Sequence, residues 1–194
     1  MRAITWKTCS SSPAANGRNG QNAQGSSNNM EKAFLQTPLG TASISGDESG
    51  ISQLTLSDEK PHSEVIPAAL APVCRQLEAY FRGDLTQFDI AVRPEGTAFQ
   101  KKVWKALMEI PFGNTISYGD LAAELGNPGA VRAVASANAL NPIWILIPCH
   151  RVVGSDGALT GYAGGLHRKK WLLDHESGTC QYSLFPQKQT TRSD

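Results

Sequence analysis

The chain has 194 residues, a formal net charge of +1 and four cysteines. That length can bury a real core as one large domain or two small ones, without disulfide help. Cys9, Cys74, Cys149 and Cys180 are widely spaced and form no C-x-x-C pair, which argues against a zinc knuckle or a secreted disulfide framework and suits a reducing, intracellular setting. No stretch approaches the ~18 apolar residues of a membrane span, and the longest apolar run is Ile143 to Ile147. The N-terminus lacks the apolar core of a secretory signal.

Residues 1–29 are rich in Ser, Asn, Gly and Gln, and hold few large apolar side chains beyond Ile4 and Trp6. Such a segment buries too little surface to offset its ordering entropy, so a disordered extension is expected, and Met30 could itself be the start. Ala33 to Gln36, Gly40 to Ser45 and Ile51 to Leu56 are short β-rich runs separated by turn residues, which predicts a small antiparallel meander. Leu70, Val73, Leu77, Tyr80 and Phe81 recur at helical spacing and predict a helix over 68–81, closed by Arg82-Gly83-Asp84. The polar link Arg93-Pro94-Glu95-Gly96 marks a domain boundary.

Thr97 is a candidate N-cap for a helix whose stripe is Phe99, Val103, Trp104, Leu107 and Met108. A second helix is expected from Tyr118 to Leu125, broken by Gly126-Asn127-Pro128, and a third from Pro128 through Ala139. Helix, tight turn, helix is the outline of a helix-turn-helix. Residues 31–96 hold ten acidic against five basic residues, and 97–176 hold eight basic against six acidic, so any nucleic-acid contact belongs to the second half. Ile143 to Ile147 reads as a buried strand that ends at Pro148-Cys149-His150-Arg151. Cysteine beside histidine is the smallest set that can make a thiolate near neutral pH, whereas most lone cysteines are merely buried.

The motif Ile147-Pro148-Cys149-His150-Arg151-Val152 resembles the signature of the O6-alkylguanine-DNA alkyltransferases. The resemblance extends to Asn141-Pro142, Gly161 to Leu166, Trp171 to Glu176, Ile116-Ser117-Tyr118 and Gly126-Asn127-Pro128, and fades toward Met30. It implies an α+β protein: a ribonuclease-H-like domain over 30–92, a winged-helix-like domain with the helix-turn-helix over 97–176, and a flexible tail over 177–194. It implies transfer of an alkyl group from O6-alkylguanine, and from O4-alkylthymine, in DNA to Cys149, once per molecule and irreversibly. His150 is implied as the base that reaches the thiol through a water, and Glu176 as the carboxylate that holds the histidine. Asn141 is implied as the hinge, Tyr118 as a neighbour of the flipped nucleotide, and Arg132 as the finger that fills the gap in the stack. Tyr162, Val152, Ala163 and Gly164 are implied around the purine, and Ala130 and Ala133 at the DNA surface. No cofactor or metal is implied; the family's first-domain zinc site is not expected, since only Cys74 and His62 could supply soft ligands between 31 and 96.

The physics of the reaction points the same way. An alkyl carbon inside a duplex is out of reach, so the nucleotide must rotate out. The third helix offers Gly129, Ala130, Val131, Ala133, Val134, Ala135, Ser136 and Ala137, with Arg132 its one basic residue. Small residues approach a shallow groove closely but read few bases, which suits a minor-groove contact to double-stranded DNA. The resemblance implies an intracellular monomer, cytoplasmic or, in a eukaryote, nuclear. Three other classes share parts of this pattern: a cysteine hydrolase, a non-catalytic damage sensor and a self-alkylating regulator. The first would turn over, relatives of the second replace the cysteine, and the third usually carries an extra metal domain.

Overall fold

A computed structural model describes residues 30–178, except His62 and Glu64. The extension expected over 1–29, the tail from 179 onward and His62 therefore lie outside the described residues. Three strands form as the turn residues dictate: β1 (Glu31–Thr37), β2 (Gly40–Asp47) and β3 (Gly50–Ser57), antiparallel in the order β1-β2-β3. Gly40 opens β2 at φ 101°, and an added Cβ there would lie 2.3 Å from the Ser57 carbonyl oxygen, so the turn needs glycine. Helix α1 (Ala71–Arg82) lays Val73, Cys74, Leu77, Tyr80 and Phe81 into the core. It starts later than the periodicity suggests because residues 68–70 form a turn on the Pro67 carbonyl. It stops at Gly83, which adopts the left-handed conformation at φ 84°.

The second half begins with α2 (Ala98–Met108), closed at its N-terminus by a full capping box between Thr97 and Gln100. Its stripe of Val103, Trp104 and Leu107 is buried, and the Trp104 indole donates to the Ala137 carbonyl at 2.8 Å. Helices α3 (Tyr118–Glu124) and α4 (Val131–Ala139) form the helix-turn-helix. The expected third helix does not start at Pro128. Residues Pro128–Ala130 make a 3-10 turn first, with Ala130 N–H bonded to the Asn127 carbonyl at 2.9 Å. Proline has no amide to give and glycine is a poor helix former, so the entry stays tight. Two-residue strands β4 (Ile116–Ser117) and β5 (Val152–Val153) pair in parallel, and α5 (Leu166–Glu176) closes the fold.

The run Ile143 to Ile147 is not a strand. Only Ile143 pairs, in a single parallel bridge with Leu54 of β3. The chain then folds back, with Leu146 N–H bonded to the Trp144 carbonyl at 2.8 Å and Ile147 N–H to that of Ile143 at 3.0 Å. Ile145 takes φ 70°, a left-handed value rare for a β-branched residue. Burial on all sides produces an uninterrupted apolar run in a strand or a packed loop alike, so composition could not separate them. Among the described residues no helix is long and apolar enough to cross a membrane.

Candidate active site

Asn141 builds the loop that carries the thiol. Its side-chain amide donates to the Ile147 carbonyl at 2.8 Å, and its side-chain oxygen accepts from Ile143 N–H at 3.0 Å. One residue thus ties both ends of the turn, and the apolar side chains between them are driven into the core. The chain leaves this turn as a single 3-10 turn, Cys149–Arg151, and enters β5. Pairing of Ile116 with Val152 brings the N-terminus of α3, and with it Tyr118, beside the thiol segment. Asn138 of α4 fastens the two together: its amide lies 3.3 Å from the Cys149 carbonyl and 3.4 Å from the Tyr118 hydroxyl.

Cys149 is only 3 % exposed. Burial pushes its thiol up to about 11, against the opposing pull of the Asn141 side chain and the Lys169 ammonium. A thiol in that range is protonated at neutral pH and needs a base to react. His150 is fully buried, and its Nε2 lies 2.9 Å from Glu176 Oε1. A carboxylate can only accept, so Nε2 carries the proton and Nδ1 presents a lone pair. Nδ1 is buried without a protein partner among the described residues. Burial depresses the imidazole below its ordinary value, against the pull of Glu176, so it rests neutral and able to take a proton.

Glu176 sits at the end of α5, 6 % exposed. Burial alone would raise its carboxyl, yet hydrogen bonds and charge from His150 and Arg151 hold it well below the usual carboxylate range. Arg151 binds it through Nε at 2.8 Å and Nη2 at 2.9 Å, and gives Nη1 to the Ile110 carbonyl. The Gly113 amide adds 3.2 Å and the Tyr80 hydroxyl 2.7 Å.

Lys169, also fully buried, donates to the carbonyls of Val152 at 2.6 Å and Thr160 at 2.8 Å. Burial lowers its ammonium, while the nearby thiol raises it. It holds β5 and the 160–165 loop as one wall. Tyr162 of that loop rests its ring on Trp144, with centroids 5.5 Å apart, and its hydroxyl is buried without a partner among the described residues. Gly164 is required here, because a Cβ would meet the Trp144 indole at 2.7 Å. Arg168 ties the same loop to the first half, through the carbonyls of Gly164 and Leu39, both at 2.8 Å, and the Asp58 carboxylate.

Cys149, His150, Glu176, Asn141, Tyr118, Val152 and Tyr162 thus converge. Arg132 and Ala133 instead stand exposed on α4, Ala130 is half-buried at its entry, Ala163 is exposed on the loop and Gly164 is buried beneath it. Sequence reading missed Arg151, Lys169, Asn138 and Tyr80. Lys169 and Arg168 had a usable signal, since they share a helical face with Leu172 and Glu176.

The arrangement can take a proton from a buried thiol and hold the charge that results. The description "6-O-methylguanine DNA methyltransferase, DNA binding domain" matches residues 98–178, and "6-O-methylguanine DNA methyltransferase, ribonuclease-like domain" matches residues 30–94. A methylated-DNA–protein-cysteine methyltransferase of Methanosarcina acetivorans is 47% identical over 157 residues, covering 78% of this chain and 100% of that protein. The chain belongs to the 6-O-methylguanine DNA methyltransferase family. A second family member, the methylated-DNA–protein-cysteine methyltransferase of Mycobacterium tuberculosis, is 45% identical over 155 residues, covering 77% of this chain and 94% of that protein. The crystal structure of the M. tuberculosis O6-methylguanine methyltransferase aligns at a TM-score of 0.70 and 42% identity, over 80% of this chain and 97% of that one. A structure of the M. tuberculosis protein in complex with DNA aligns at 0.69 and 45% identity, over 75% of this chain and 91% of that one. The family's α+β architecture, a small sheet domain followed by a helical one, is the fold seen here.

Proposed function

We infer that this chain repairs DNA by direct reversal, moving an alkyl group from O6-alkylguanine onto its own Cys149. One observation carries the assignment: a buried thiol in the Pro148-Cys149-His150-Arg151 turn, backed by a neutral imidazole that is locked to a buried carboxylate. Cys149 is the acceptor, His150 the base and Glu176 its orienting partner. Among the described residues the thiol makes no direct bond to the imidazole. One solvent molecule between Sγ and Nδ1 would carry the proton.

The thiolate then attacks the alkyl carbon. An S–C bond forms, the C–O6 bond breaks, and its electron pair leaves with guanine, which takes up a proton to balance the one lost by the thiol. Freeing the thiol again would mean expelling a thiolate from an unactivated alkyl carbon, for which the site offers no means, so the protein acts once. O4-alkylthymine offers the same alkyl–oxygen bond and is a second substrate.

The helix-turn-helix meets double-stranded DNA in the minor groove through the small exposed residues of α4. Arg132 fills the stack when the damaged nucleotide rotates out, Asn141 joins that helix to the reactive turn, and Tyr118 attends the flipped nucleotide. Tyr162, Val152, Ala163 and Gly164 wall the purine. Two domains, about 30–92 and 97–176, divide the work, in an intracellular monomer that needs no cofactor. Intact-mass analysis after mixing with excess O6-methylguanine duplex tests this directly. The expected result is one added methylene on the Cys149 peptide per protein, with Cys149→Ser inert but still binding the duplex. Continued turnover would replace the assignment with a hydrolase.

A further inference from the structure

Tyr80 belongs to α1, yet it reaches the relay built from the second half of the chain. Its hydroxyl donates to Glu176 Oε1 at 2.7 Å across 96 positions of sequence. The same oxygen receives His150 Nε2 at 2.9 Å and Arg151 Nη2 at 2.9 Å, while Oε2 receives Arg151 Nε and the Gly113 amide. The phenol ring is fully buried and cannot swing to another acceptor. Phe81 lies 5.4 Å away, Phe88 5.3 Å, Phe112 6.1 Å and His175 5.2 Å, centroid to centroid. Burial and the adjacent Glu176 push the Tyr80 phenol well above its ordinary value, so the hydroxyl stays a donor at any working pH.

A carboxylate oxygen shared among three donors accepts less strongly from each of them. Its basicity decides how well it stabilises the imidazolium formed when His150 takes the thiol proton. We propose that Tyr80 is a positioning residue of the transfer reaction, whose bond to Glu176 Oε1 restrains the carboxylate's pull on His150 and so sets the pH at which Cys149 becomes reactive. The proposal rests on the Cys149–His150–Glu176 relay described above. The other charged groups facing His150 are Arg151 beside it and Lys169 from α5, both of which oppose its protonation. Tyr80 adds no charge. It acts only by occupying the shared oxygen, which makes the amino-terminal half part of the site's chemistry.

The experiment is the pH profile of single-turnover transfer from an O6-methylguanine duplex, with the His150 imidazole followed by NMR in the same samples. Tyr80→Phe removes one hydroxyl and keeps the ring. Freed of a donor, Oε1 pulls harder on His150, so the acid limb and the imidazole titration should both move up by about half a pH unit. On that limb the rate should fall roughly threefold, a larger change than in the plateau rate, with duplex affinity unaltered. Difluorotyrosine at position 80 keeps the fold's shape and strengthens the donor, so both readouts should move down. Limbs that superimpose on wild type in both variants, whatever happens to melting temperature, would reduce Tyr80 to packing. A wild-type protein that transfers nothing to Cys149 would instead overturn the relay itself.

Discussion

Replacing Glu176 by Gln tests the relay and the fold in one variant. The side chain keeps its shape but loses its charge, and one of its two oxygens becomes an NH2 group. Every position around it is already a donor: Tyr80, His150, Arg151 twice and Gly113. The new NH2 must therefore oppose at least one of them, and the Arg151 guanidinium is left buried without its counter-charge. The paired side chains are 9% and 1% exposed, so solvent screens little of this loss. Breaking one partner of a buried pair costs about 3–5 kcal/mol. For a chain of this size that corresponds to roughly 6–20 °C in melting temperature, at about 2–4 °C per kcal/mol. The chemical loss is separate. If the amide nitrogen faces His150, the imidazole must accept at Nε2 and protonate Nδ1, which removes the base. A carboxylate-to-amide change behind a triad histidine costs about 10⁴ in rate through the wrong tautomer. Differential scanning calorimetry gives the first quantity. Rapid-quench transfer from labelled O6-methylguanine duplex, run well below the variant's melting temperature, gives the second. Stability within 2 °C of wild type would refute the ion-pair argument, and a rate within about tenfold would refute the orienting role of Glu176.

Acidification should unfold the protein in two stages. His150 is held below its ordinary 6.5, so the unfolded chain binds the extra proton and stability falls as pH drops below about 6.5. Glu176 is held below its ordinary 4.5, so a second, steeper loss begins there and should shrink in Glu176→Gln, where Asp47 still contributes; chemical denaturation across pH 3–8 would show it, and a profile unchanged by the substitution would sink the argument. Arg132→Ala should slow repair of duplex DNA far more than reaction with free O6-alkylguanine base, because only the duplex demands extrusion. Equal slowing would place Arg132 in the pocket or in folding. Trp144 lies beneath Tyr162 and Gly164, so Trp144→Ala should cost about 3–5 kcal/mol of stability and speed O6-benzylguanine relative to O6-methylguanine in DNA. An unchanged rate ratio in the folded variant would show that the indole only supports the wall.

The meander, α1 to α4 and the Thr97 cap were legible because each writes its pattern locally: alternation, a 3.6-residue stripe, a capping pair. Cys149, His150 and Glu176 were legible through the motif and its resemblance, since two are neighbours and the third lies on the next helix. The reactive turn was not legible. Its fold-back depends on Asn141 clasping Ile147, and an apolar run says nothing about that. Arg151, Lys169 and Tyr80 escaped for one reason. Each looks like a solvent-facing or core residue alone and gains its role from a partner contributed by a distant segment, Glu176 or the carbonyls of Val152 and Thr160. Asn138 escaped because its helix was read by its small residues, and one amide among them carries no periodic signal.

The bridge between Leu54 and Ile143 bears on how the chain can be cut. The outer rim of β3 is occupied at two places, by Ala91 and Arg93 around Ile51 and by Pro142 and Trp144 around Leu54. The first clasp stays with a fragment ending near residue 94; the second leaves with the remainder. Such a fragment would show a bare amide and carbonyl at Leu54, whose partners Pro142 and Trp144 leave with the second half. An uncovered rim of that kind recruits other chains. Truncation between the halves therefore converts an internal seam into an adhesive surface, and recombinant pieces divided at the linker should aggregate more readily than the intact chain.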